Sequence, residues 1–165
     1  MNKRVRQYIG LFSAVFAYYL IHEGAHLIYA LVSGVFKQVN FMGLGVQIDI
    51  NSEKMTDTQL GIFCIAGAIA TVIIGYVLVL LISRIEKVSS KVFKACMYYI
   101  TIALLFIDPL YLSVLYRFFG GGDMNGIVLL IPEMLAGCIY GSIFVINTFI
   151  FWKVVLPKYK AAFKV

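Results

Sequence analysis

The sequence predicts an all-α membrane bundle: four transmembrane helices, with a short β-hairpin between the first and the second. Three observations lead there. The 165 residues are 62% hydrophobic and their mean hydropathy is +0.93, against an apolar share of about 45–50% in soluble domains. A soluble chain of this size could not hide that much apolar surface, so most of its solvent must be lipid. Apolar stretches near 8–34, 60–82, 95–118 and 126–152 each reach the roughly 20 residues that cross a hydrocarbon core. Most basic residues lie between those stretches and at the chain ends, where membrane proteins place topological charge. The length suits one domain, 1–165, and neither a repeat nor a low-complexity stretch is evident.

Each element has its own warrant. Lys3, Arg4 and Arg6 precede the first stretch. No cleavable signal peptide is expected, because that apolar run is too long. Val39-Asn40-Phe41 and Val46-Gln47-Ile48-Asp49-Ile50 alternate apolar and polar residues around Gly43-Leu44-Gly45. Alternation with turn residues between predicts a β-hairpin near 36–50, at the membrane surface or dipping into it. Its unpaired edge could receive an extended substrate as a further strand. It could equally belong to an ordinary amphipathic hairpin capping the bundle, since an edge is only a template. Gly67, Thr71 and Gly75 recur every four residues in the second stretch, the spacing of a close-packing face. Asp108-Pro109 interrupts the third, because proline removes a helical hydrogen bond. Pro132 falls in the first turns expected of the fourth.

Charge assigns the sides. Arg84, Lys87, Lys91 and Lys94 lie between the second and third stretches, and Lys153, Lys158, Lys160 and Lys164 end the chain. The other two connections hold only Lys37, Lys54 and Arg117. The positive-inside rule then puts both termini and the 83–94 loop in the cytoplasm of a multi-pass cell-membrane protein, with 35–59 and 118–125 outside. The net charge of +6 is therefore read as contact with anionic lipid headgroups and not with nucleic acid. Cys64, Cys96 and Cys138 are widely spaced and form no C-x-x-C pair, which argues against a disulfide or thiolate-zinc framework.

The chemistry lies in His22-Glu23-Gly24-Ala25-His26, which holds both histidines of the chain. On a helix, positions i and i+4 share a face about 6 Å apart along the axis. Two imidazoles can therefore hold one metal ion, with Glu23 beside it as a general base. Ionisable groups are costly in lipid, which makes them functional candidates by default. A catalytic zinc needs a third protein ligand and one open position. A third histidine does not exist, so a carboxylate is required: Asp108, Asp123 or Glu133. Depth along the spans favours Asp108; the flexible Gly120-Gly121-Gly122-Asp123-Met124-Asn125-Gly126 stretch, able to bend inward, favours Asp123. Asp108 reads otherwise as a kink residue before proline. Glu133 reads otherwise as an interhelical hydrogen-bonding partner, held protonated by burial.

These parts, in this order, resemble a small site-2 protease-type (M50-like) intramembrane metalloprotease over most of the chain. His22-Glu23-Gly24-Ala25-His26 matches that family's H-E-x-x-H, the 35–50 hairpin resembles its membrane-associated β-element, and Gly67-Ala68-Ile69-Ala70-Thr71 resembles its G-P-x-x-N. Ala68 and Thr71 stand where the family has proline and asparagine. Asp123, followed by Asn125-Gly126, resembles the aspartate of the family's L-D-G stretch. The resemblance implies His22, His26 and Asp123 as Zn²⁺ ligands and Glu23 as the base that activates a zinc-bound water.

The expected function is thus an intramembrane zinc metallopeptidase that hydrolyses a peptide bond of a membrane or membrane-proximal protein. The substrate must unwind locally, since a helix hides its carbonyls in its own hydrogen bonds. An accessory membrane protein is a candidate partner for substrate selection. Two other classes stay open: a non-catalytic binding or regulatory protein of the same fold, and a small proton or metal-ion transporter.

Overall fold

The computed structural model describes residues 2–43, 45–120 and 122–164. Leu44 and Gly121, which belong to the two glycine-bearing turns noted in the sequence, lie outside the described residues. Among the described residues, four helices are long and apolar enough to cross a membrane: α1 Lys3–Val32, α2 Asp57–Ile85, α3 Lys91–Phe119 and α5 Glu133–Phe163. A four-residue helix, α4 Met124–Ile127, lies between the last two. The hairpin is β1 Phe36–Met42 paired antiparallel with β2 Gly45–Ile50. The all-α bundle with one hairpin is therefore the observed architecture.

Local chemistry sets the helix starts. Asn2 accepts the Arg4 N–H at 3.1 Å, and Ser90 accepts the Phe93 N–H at 3.2 Å. Thr56 and Gln59 form a reciprocal capping box. Each supplies a partner for N–H groups that the first helical turn leaves unpaired. The hairpin is tied to the bundle by buried Val35 and Ile48, and Asn51 N–H donates to Val35 O at 2.9 Å. Ile48 lies opposite Val39.

Prolines shape the last two spans. Pro109 sits inside α3 and is followed by a wide π-helical turn at Tyr111–Leu115. A second π turn, Phe151–Val155, precedes Pro157 in α5. It gives the proline ring room near the carbonyl four residues back, where a regular helix would clash. The fourth span starts at Glu133 and not at 126. Residues 128–130 form a turn and Ile131 a bend, and proline disfavours helical geometry at Ile131, the residue before it. Pro132 is thus the residue before the helix, not part of its first turns. The same helix runs to Phe163, past the expected end at 152.

In the bundle, α1 lies against α2 and α3, α2 also meets α4, and α5 packs on α3. Phe12, Phe16, Leu20, Leu80, Phe149 and Trp152 face outward, as apolar side chains do where lipid is the solvent. Among the described residues, two apolar clusters lie inside. One surrounds Phe63, Ala68, Leu112 and Met124 near the hairpin end, and the other surrounds Ile82, Leu105, Val155 and Tyr159.

Candidate metal centre

Helix α1 turns His22 and His26 inward, and both are buried. Their ring centroids are 4.8 Å apart, as the i, i+4 spacing requires. Each ring is oriented through Nδ1. His26 Nδ1 is 2.8 Å from the Phe63 carbonyl oxygen. A carbonyl only accepts, so this nitrogen carries the hydrogen. His22 Nδ1 is 3.3 Å from either oxygen of Asp108 and donates to that carboxylate in the same way. Asp108 is itself fixed: Tyr18 OH donates to it at 2.6 Å, and the Thr71 hydroxyl contacts its other oxygen.

With both Nδ1 hydrogens committed, both Nε2 atoms present lone pairs. They lie 3.1 Å apart. Asp123 Oδ2 lies 3.1 Å from His22 Nε2 and 3.5 Å from His26 Nε2. Three electron-rich atoms thus crowd one point. A shared proton would satisfy one contact at a time, whereas a cation satisfies all three. His22, His26 and Asp123 form a group able to hold a metal ion, with ligand atoms all within 4.8 Å of one another. The donor set fits a three-ligand site that leaves a position open.

The segment after α3 brings Asp123 inward. Gly120 and Gly122 have φ of +96° and +41°, and Tyr111 OH donates to Gly120 O at 2.6 Å. A Cβ at Gly122 would lie 2.8 Å from that hydroxyl oxygen, so both backbone angle and space require glycine there. Met124 and Ile127 of α4 are buried and anchor the segment beneath α2. Both rival aspartates therefore reach His22, from opposite sides. Asp123 meets the nitrogen that faces the open point, and Asp108 meets the nitrogen behind it. Asp108 is more than a kink residue: it orients the ring.

Helix α2 closes the back of the group. A Cβ at Gly67 would fall 2.6 Å from His26 Nε2 and 2.7 Å from His22 Nε2. Gly67 leaves room for the two rings, while Gly75 packs on Leu104 and Leu105 of α3. The close-packing stripe thus has a break: Thr71, between the two glycines, points at Asp108. Glu23 is half-buried, and its Oε2 accepts the Ile48 N–H at 3.1 Å. That N–H points away from β1, so Glu23 occupies the outer edge of β2. A cavity of about 510 Å³ runs from His22, His26 and Asp123 to Val46 and Ile48. A second, of about 370 Å³, opens between α1 and α3 beside Tyr18, Asp108 and Tyr111.

Glu133 takes no part in the group. It is exposed at the start of α5, accepts from Tyr116 OH and pairs with Arg117 Nη2 at 3.2 Å. The expected buried, protonated carboxyl is corrected by that exposure and by the arginine. Three contributors are absent from the sequence-based site. Tyr18 stands four residues before His22 on the same helical face, a spacing that could have revealed it. Thr71 has the spacing of a packing residue. The Phe63 carbonyl is backbone and leaves no mark in sequence. Comparison with protein-family models, curated proteins and solved structures returns no match.

Proposed function

We propose that the chain is an intramembrane zinc metallopeptidase of the site-2 protease type, acting on a peptide bond of a membrane or membrane-proximal protein. The observation that carries this reading is the convergence of three lone-pair atoms with a carboxylic acid, Glu23, in the same cavity. Two imidazoles and one carboxylate suit Zn²⁺. When bound, the ion supplies an acidified water and a Lewis acid for the scissile carbonyl.

The chain's own residues do the rest. His22, His26 and Asp123 hold the ion, while Asp108 and the Phe63 carbonyl fix the two rings, as outer-shell partners of metal-bound histidines do. Glu23 takes a proton from the attacking water and returns it to the departing amine as the C–N bond breaks. An extended substrate lies along the outer edge of β2, its carbonyl taking the Ile48 N–H now held by Glu23. Substrate arrival then frees the Glu23 carboxylate to act. In the charge-based topology the termini are cytoplasmic and the site lies nearer the outside.

The test is Glu23→Gln in the purified full chain, with zinc content and cleavage of membrane-reconstituted peptides both measured. The expected result is retained zinc with cleavage reduced by about 10²-fold or more, the range of a lost general base. Unchanged cleavage would exclude Glu23 as the base. A wild-type chain that binds zinc and cleaves nothing would instead favour a non-catalytic binding protein.

A further inference from the structure

Pro109 has no N–H, so the Leu105 carbonyl four residues earlier in α3 loses its helical partner. In a bilayer there is no water to replace it. Asn147 of α5 does so. Its Nδ2 donates to Leu105 O at 2.6 Å, and its Oδ1 accepts Tyr76 OH from α2 at 2.7 Å. Asn147 is fully buried. Three helices therefore meet at the one carbonyl that the proline strands. The residues that follow are those that shape the metal centre. Asp108 orients His22, and Tyr111, at the start of the π turn, holds the segment carrying Asp123.

We propose that Asn147, backed by Tyr76, is a positioning residue: it completes the hydrogen bonding that Pro109 leaves open in α3 and thereby sets Asp108 and Tyr111 around the metal centre. The proposal rests on the metal reading above. A generic interhelical asparagine would hydrogen-bond wherever a partner was offered. This one completes the specific bond that Pro109 removes, which makes the two positions interdependent.

That interdependence can be measured. Zn²⁺ affinity is determined for the full-length chain in detergent as wild type, Asn147→Leu, Pro109→Ala and the double variant. Asn147→Leu should weaken Zn²⁺ binding by about tenfold, the low end for loss of an outer-shell support. In the Pro109→Ala background, where the introduced alanine supplies the missing N–H, the same substitution should cost under about twofold. Equal losses in both backgrounds would overturn the proposal, because Asn147 would then act elsewhere than on Leu105 O. Unaltered affinity in Asn147→Leu would overturn it too, while leaving the metal reading intact. A wild-type chain without Zn²⁺ affinity would sink the metal reading, and this proposal with it, before any substitution is compared. If Asn147→Leu does not fold, Tyr76→Phe is put through the same cycle. It removes only the support for Asn147, and a smaller loss, again confined to the Pro109 background, is the expected result.

Discussion

His22 has an aspartate at each ring nitrogen, and the two aspartates live in different surroundings. Asp108 comes from the interior of α3, its side chain 2% exposed, and it is gripped by Tyr18 and Thr71. Asp123 comes from a glycine-bearing turn, its side chain is 21% exposed, and its near neighbours are the two imidazoles. A carboxylate saturated by hydrogen bonds orients; one left free beside two lone pairs binds. The difference lies in what each acid already holds, because both reach His22 within hydrogen-bond range.

Neutralising each acid in turn separates an orienting carboxylate from a binding one. Asp123→Asn should lower Zn²⁺ affinity by more than about 100-fold, beyond the range for an outer-shell partner. Asp108→Asn should stay within about 10–100-fold. Equilibrium titration of the purified chain with Zn²⁺ separates them; the reverse order would exchange their roles.

Gly67→Ala probes the wall that both rings share. The added Cβ would fall within 2.7 Å of both Nε2 atoms. Overpacking of this kind costs about 1–3 kcal/mol, so thermal unfolding should shift down and Zn²⁺ affinity should fall with it. An unperturbed variant would mean the rings do not sit against α2. Tyr18→Phe removes one donor to Asp108 and should cost about 1 kcal/mol of stability, with a smaller change in Zn²⁺ affinity than Asp108→Asn.

The smallest effect belongs to the hairpin surface. Lys37 Nζ lies 3.0 Å from Asp49 Oδ2, and its hydrogen bond holds the Asp49 carboxyl below the usual range. A carboxyl lowered on folding adds stability above its unfolded pKa, and that contribution is lost as pH falls through the folded value. Lys37→Ala should therefore return Asp49 towards its ordinary titration, as followed by NMR, and leave Zn²⁺ affinity alone. Exposed pairs of this kind are screened by solvent.

Much of this molecule is legible in its sequence, and the exceptions have physical reasons. Span length and strand alternation are local patterns, so the helices and the hairpin can be placed. The expected fourth span begins too early because Ile127-Val128-Leu129-Leu130-Ile131 is apolar whether it is helix or turn. Pro132 is the punctuation that matters. The histidine pair is legible because i, i+4 is a property of one helix. The division of labour between Asp108 and Asp123 is not, since it depends on which nitrogen of one ring each meets after three segments have packed. Thr71 looks like a packing residue because its neighbours at ±4, Gly67 and Gly75, are packing residues; only the position of α3 reveals Asp108 beyond it.

The most direct measurement is X-ray absorption at the zinc edge on the full-length chain loaded with one equivalent of Zn²⁺. The expected shell holds two imidazole nitrogens and light oxygen scatterers, with one oxygen lost or replaced in Asp123→Asn and the imidazole pair kept in Asp108→Asn. A sulfur scatterer, a single imidazole, or a shell unaltered by Asp123→Asn would contradict it.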